Sequence, residues 1–123
     1  MALKVVYFGN SQSAFSNRHF QALLDAPCEL VGVVDVPPGK RSSTNPSTGG
    51  CPPFTEAARQ RGAPIFEPPG PNQPEFVAAV DGLAPDLFIA AGYMGILQEA
   101  ILAAPRILAA NFHASLLPAY RGK

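Results

Sequence analysis

Five short runs rich in β-branched, aliphatic and aromatic residues constrain this chain more than any other feature. They are LKVVYF at residues 3–8, ELVGVVDV at 29–36, PIF at 64–66, DLFIA at 86–90 and ILAANF at 107–112. A strand with one wet face alternates apolar and polar side chains, and these runs largely do not. Near-continuous apolar strands are the mark of a sheet buried on both faces, which in turn requires parallel strands joined by covering helices. The intervening segments supply those helices. Residues 14–25 set Phe15, Phe20, Leu23 and Leu24 near helical spacing behind Ser13, a good N-cap. Residues 54–61 read as a helix stopped by Gly62, and residues 75–83 and 97–103 as two more. The chain holds 14 prolines and 11 glycines, clustered between the apolar runs as turn punctuation. Residues 37–53 form a long polar loop. The pattern predicts an α/β fold, a Rossmann-like three-layer domain with a mostly parallel sheet, spanning 1–123 as one unit.

Composition narrows the partners. Nine basic side chains balance nine acidic ones, so the domain alone is a poor candidate for gripping DNA or RNA, although a single loop can still touch a nucleic acid, and no DNA partner is expected. Cys28 and Cys51 stand in unrelated contexts, without a CxxC pair or a His/Cys cluster at ligand spacing. They read as free thiols in a reducing compartment, and no metal is expected. The opening MALKVVYFG suits a first strand better than a signal peptide, and no segment approaches the ~20 apolar residues of a membrane span. A cytoplasmic location and no membrane partner follow as expectations.

In open parallel sheets, ligands bind at the carboxyl ends of the strands. That rule selects four segments, residues 9–13, the loop from Pro37, residues 92–97 and Asn111 onward, and three of them have chemical potential. In GNSQSAF, Gly9 permits a tight turn while Asn10, Ser11 and Ser13 bring hydrogen-bonding groups to a helix start, which suits an anion or polar substrate. A capped turn with no ligand fits equally, and the segment is neither GxGxxG nor a P-loop. AAGYMGIL, residues 90–97, is a compact loop with backbone amides between apolar side chains. It reads either as a buried connection or as a surface on which a flat heterocycle rests on Met94, Ile96 and Leu97. In NFHASLLPAYRG, residues 111–122, Asn111 and His113 alternate with Phe112 and so share one face of an extended strand. A carboxamide beside an imidazole suits polarising a carbonyl and moving a proton, although most such histidines are simply hydrogen-bonded.

The string N-x-H-x-S-L-L-P-x-Y-R-G resembles the signature of the folate-dependent formyltransferase family. AAGYMGIL resembles that family's folate loop, and VVYFGN and GAPIFEP resemble its first strand and third-strand region. The resemblance implies that the chain is the N-terminal half of a formyltransferase domain, with 10-formyltetrahydrofolate as formyl donor, a primary amine as acceptor, and no metal. It gives Asn111 and His113 the catalytic role of stabilising the oxyanion formed when the amine attacks the formyl carbon. Tyr93, Met94, Gly95, Ile96 and Leu97 would line the folate pocket, with Ser115, Leu116 and Pro118 shaping the adjoining wall. Gly9, Asn10, Ser11, Tyr120 and Arg121 are assigned to the acceptor. The family's third catalytic residue, an aspartate that orients the imidazole, falls past Lys123, and Asp81, Asp86 and Glu99 do not match it. The expectation is therefore a catalytic domain cut short after the motif, and inactive by itself.

The acceptor stays open between methionyl-tRNA and a small amino-sugar or nucleotide-linked amine. The loop at 37–53 carries only Lys40 and Arg41, and GNSQSAF departs from the Gly-Thr-Pro-Glu-Phe pattern of the members that act on tRNA. Two other functions remain in view. One is hydrolysis of the same formylated folate, with water in place of the amine. The other is a non-catalytic folate- or nucleotide-binding module, against which the first turn argues: Asp35 ends the second strand, but no GxGxxG precedes it.

Overall fold

The computed structural model describes residues 2–38, 51–93 and 95–112. Its elements follow the alternation read from the sequence: β1 Leu3–Gly9, α1 Ala14–Leu24, β2 Cys28–Asp35, α2 Phe54–Gln60, β3 Ile65–Phe66, α3 Pro74–Asp81, β4 Leu87–Ala91, α4 Glu99–Leu102 and β5 Leu108–Phe112. The strands form one sheet in the order β3-β2-β1-β4-β5, and every neighbouring pair is parallel. β1 lies at the centre, which is why it is the most uniformly apolar strand, with residues 5–9 all buried.

Side-chain alternation along β1 and β4 divides the core in two. Val6 and Phe8 of β1 and Phe88 and Ala90 of β4 face Phe76 and Val80 of α3 and Ile101 of α4. Tyr7 and Ala91 face the opposite way, toward Phe20 of α1 and Phe54 and Ala58 of α2. The result is three layers, with α1 and α2 on one face and α3 and α4 on the other. Fully burying each large ring contributes roughly 2–3 kcal/mol, so the aromatic cluster of Tyr7, Phe20 and Phe54 is a major source of cohesion on its side.

The helix starts follow local chemistry. Ser13 caps α1 by accepting from the Ser16 N–H, as its position predicts. Pro74 opens α3 at a position where a missing N–H costs nothing. Helix α4 is shorter than the residues 97–103 expected for it. Leu97 belongs to the preceding loop and packs on the core, so the helix begins only at Glu99. Among the described residues, no helix is long and apolar enough to cross a membrane.

Candidate active site

The carboxyl end of β4 turns out of the sheet through Gly92, whose φ of +75° lies in the left-handed region. Two constraints demand glycine there: that dihedral, and a neighbour, since an added Cβ would sit 2.6 Å from the Ser16 hydroxyl oxygen. Ser16 Oγ donates to the Ala91 carbonyl at 2.5 Å and accepts from the Asn10 N–H at 2.9 Å. The first turn of α1 therefore fixes where the loop at 92–98 starts. Tyr93 then lays its ring edge-on to Phe8, with centroids 5.4 Å apart. Burial, and secondarily the charge of Asp35, push the Tyr93 phenol up to about 12, so it is neutral at physiological pH. Gly95 lies against that ring and against Pro71, where a Cβ would approach carbons at 2.6 and 3.0 Å. Met94 lies outside the described residues.

This loop and strand β5 enclose a cavity of about 270 Å³. Tyr93, Gly95, Ile96 and Leu97 line one side, Phe88 and Ala90 form the floor, and Asn111 lines it from β5. Strand register explains the last placement. Ala90 pairs with Asn111 and Ala91 with Phe112, so Asn111 shares the face of Phe88 and Ala90 while Phe112 turns to the other side. There Phe112 meets His19, with ring centroids 5.5 Å apart. The alternation expected at Asn111 and Phe112 is thus present. His113, Ser115, Leu116, Pro118, Tyr120, Arg121, Lys40 and Arg41 lie outside the described residues. An apolar slot with one carboxamide, the backbone of a tight loop and a neutral phenol suits a flat heterocycle with a polar substituent.

The structure does not bring the first turn to this cavity. Asn10 and Ser11 are 2% and 5% exposed, and their hydrogen-bonding groups serve the fold. Asp35, fully buried at the end of β2, accepts from the Ser11 N–H at 2.9 Å, the Ser11 hydroxyl at 2.6 Å and the Val36 N–H at 2.9 Å. Asn10 Oδ1 accepts from the Gln12 N–H. Asn17 Nδ2 donates to the Ser11 carbonyl, while Asn17 Oδ1 accepts from the Phe54 N–H. Gly9 is close-packed beneath Tyr7 and Phe54. Among the described residues, no buried side-chain polar atom lacks a partner. Reading the sequence for ligand contacts missed Ser16 and Asn17, because their partners are remote in the chain.

Acidic residues are elsewhere. Asp86 sits at the amino end of β4, away from the cavity, and accepts from the Lys4 N–H at 2.9 Å and Arg106 Nε at 2.8 Å. Among the described residues, no group of three His, Cys, Asp or Glu side chains is placed to hold a metal ion.

The sequence profile of the formyl transferase family matches residues 3–123. The chain belongs to the formyl transferase family. It is 37% identical over 123 residues to a methionyl-tRNA formyltransferase of Pseudomonas savastanoi pv. phaseolicola, an alignment covering 98% of this chain and 37% of that protein. It is 36% identical over 124 residues to a methionyl-tRNA formyltransferase of Synechococcus sp., again over 98% of this chain and 37% of the relative. The chain thus spans little more than a third of these relatives' length. Among solved structures, a phosphoribosylglycinamide formyltransferase from Bacillus halodurans superimposes with a TM-score of 0.67 at 22% identity, over 97% of this chain and 60% of that one. A formyltetrahydrofolate deformylase from Pseudomonas putida superimposes with a TM-score of 0.62 at 20% identity, over 99% of this chain and 41% of that one. At these identities the likeness establishes the fold: the Rossmann-like, parallel α/β architecture is that of formyltransferase domains.

Proposed function

We propose that the protein binds 10-formyltetrahydrofolate at the cavity between residues 93–97 and β5, and that the formyl group passes to a primary amine. The observation that carries this reading is the meeting of two separate segments. Tyr93, Gly95, Ile96 and Leu97 line the same cavity as Asn111. The cavity's size, apolar floor and exposed loop backbone fit the bicyclic head of a folate, with the remainder extending into solvent. When bound, that donor supplies a formyl group on nitrogen, ready for transfer.

The chain's own groups then have distinct tasks. Tyr93 and Leu97 hold the ring system and keep water from one face. Asn111 directs a carboxamide N–H to the formyl oxygen, where negative charge grows as the amine approaches. A fixed donor of this kind contributes about 3–4 kcal/mol when aimed at developing charge. His113 is assigned to the same charge by the resemblance of its motif, and Ser115, Leu116 and Pro118 to the adjoining wall. Tyr120 and Arg121 remain proposed acceptor contacts, as do Gly9, Asn10 and Ser11, whose polar groups would have to exchange internal partners to serve.

The acceptor we propose is the amino group of methionyl-tRNA, supported by relatives of that name at 36–37% identity. A small amino-sugar or nucleotide-linked amine is the alternative to be tested beside it. A cytoplasmic location belongs to the same proposal. The experiment follows labelled formyl from 10-formyltetrahydrofolate, using the protein as its own cells make it. Label on methionyl-tRNA supports the full reading, whereas label on small amines alone keeps formyl transfer and replaces the acceptor. Formate released at the same rate without any amine identifies a hydrolase.

A further inference from the structure

We propose that Asn72 is a positioning residue for the donor-binding loop, an inference that rests on the reading of residues 93–97 as the folate site. Asn72 lies in the turn-rich segment before α3, with no place in the cavity lining. Its carboxamide nevertheless holds that loop at two points. Asn72 Nδ2 donates to the Ile96 carbonyl at 2.8 Å, and Asn72 Oδ1 accepts from the Gln98 N–H at 2.7 Å. One side chain thus engages both flanks of Leu97, as a neighbouring strand would engage an extended chain. In an extended segment, the carbonyl of one residue and the amide two residues later face one side, and the amide groups of the residue between them face the other. Pinning 96 and 98 toward Asn72 therefore turns the backbone groups of Leu97 away from it, leaving them available to a ligand.

Two more observations tie this segment to the site. Pro71, the preceding residue, packs so closely on Gly95 that a Cβ there would lie 3.0 Å from its ring. Gln98 is the residue before the first turn of α4, and its own side chain makes no capping bond. The loop at 92–98 is thus held at its start by Ser16 on the Ala91 carbonyl and at its end by Asn72. Between these two anchors it presents Tyr93, Gly95 and Leu97 to the cavity. Ile96 itself is 68% exposed, so little packing replaces the Asn72 bonds if they are lost. The geometry assigns to Asn72 the control of loop shape, and through it of donor affinity.

The test uses the protein as its own cells make it, with calorimetric titration of 5-formyltetrahydrofolate, a stable isomer of the donor. Asn72→Ala removes both bonds, and donor affinity should weaken about tenfold with little change in the thermal unfolding midpoint. Asn72→Asp keeps an acceptor for Gln98 but loses the donor to Ile96, and should fall between the two. In turnover, the donor KM should rise by a larger factor than kcat falls, since the loop shapes binding. If the wild-type protein binds the folate and Asn72→Ala binds it equally well, the inference is wrong while the site reading stands. Should Asn72→Ala prove too unstable to assay, unaltered affinity in Asn72→Asp overturns the inference in its place. A wild-type protein that binds no folate removes both together.

Discussion

The hydroxyl of Ser16, in the first turn of α1, donates to the carbonyl of Ala91, the last residue of β4. Residues 75 positions apart are joined by a bond of 2.5 Å inside the protein, beside a glycine that no larger residue can replace without displacement. Ser16→Ala leaves the Ala91 carbonyl and the Asn10 N–H without their partner, so stability should fall by about 2–4 kcal/mol. Gly92→Ala combines a strained dihedral with overlap on the Ser16 oxygen, and should cost at least about 2 kcal/mol. Removing that oxygen relieves the overlap. The double variant should therefore be less destabilised than the sum of the two by more than about 0.5 kcal/mol, read from urea unfolding midpoints. Strict additivity would show that the two residues are not coupled.

Gly95 offers a sharper probe of the cavity. A Cβ at that position meets the Tyr93 ring at 2.6 Å, and the ring rather than the backbone must move. Tyr93 is also the wall of the cavity, so Gly95→Ala should displace the wall, with the cost to the core confined to the edge contact of Tyr93 on Phe8. The expected result is donor affinity lowered about tenfold, with stability changed by less than about 1 kcal/mol. Titration calorimetry alongside thermal unfolding separates these two effects. Equal losses in both would mean that the loop is a structural element first.

Element order and sheet class were legible because they depend on local pattern. Val5 to Phe8 of β1 and Phe88 of β4 are apolar on both faces because helices cover both, and the sequence carries that signature openly. The opposite facing of Asn111 and Phe112 followed from period-two alternation, whereas the register that sets Asn111 beside Ala90 did not. The hydrogen bonds of the first turn were not legible, for a physical reason. Asn10 and Ser11 look like ligand groups in sequence, but the Asn10 carboxamide accepts from the Gln12 N–H within the turn, and the Ser11 hydroxyl donates to Asp35 of β2. No local pattern reveals that a buried carboxylate will claim the Ser11 hydroxyl. Asn72 was invisible in the same way, an asparagine among prolines whose carboxamide serves a loop 24 and 26 residues away.

Asp86 ties the amino ends of the strands together and gives the fold a pH dependence of known sign. The Lys4 backbone N–H first, and Arg106 second, hold its carboxyl below the ordinary carboxylate range. A depressed value means that the folded state prefers the charged form. The contribution is present above about pH 4, the unfolded value, and is lost as pH falls through the folded value. Asp86→Asn should lower the urea midpoint at pH 7. The gap between variant and wild type should narrow steadily below pH 4 and close in stronger acid. A gap independent of pH would show that packing, not charge, is what Asp86 supplies.

Asn111 tests the chemistry itself. Its side chain is exposed on the edge strand and lines the cavity, so truncation removes little packing, and Asn111→Ala should change stability by no more than about 0.5 kcal/mol. The effect on formyl transfer should be far larger, a loss of about 100- to 1000-fold in kcat, as expected for deleting one fixed donor at a site of developing negative charge. Asn111→Asp keeps the shape but exchanges the N–H donor for negative charge, so it should be at least as inactive as the alanine variant. Steady-state kinetics on the protein as its own cells make it decide the role. If kcat and kcat/KM fall by the same factor, the carboxamide acts in the transition state, whereas a rise in donor KM with kcat intact makes Asn111 a wall of the binding cavity and passes the charge-stabilising role to another group.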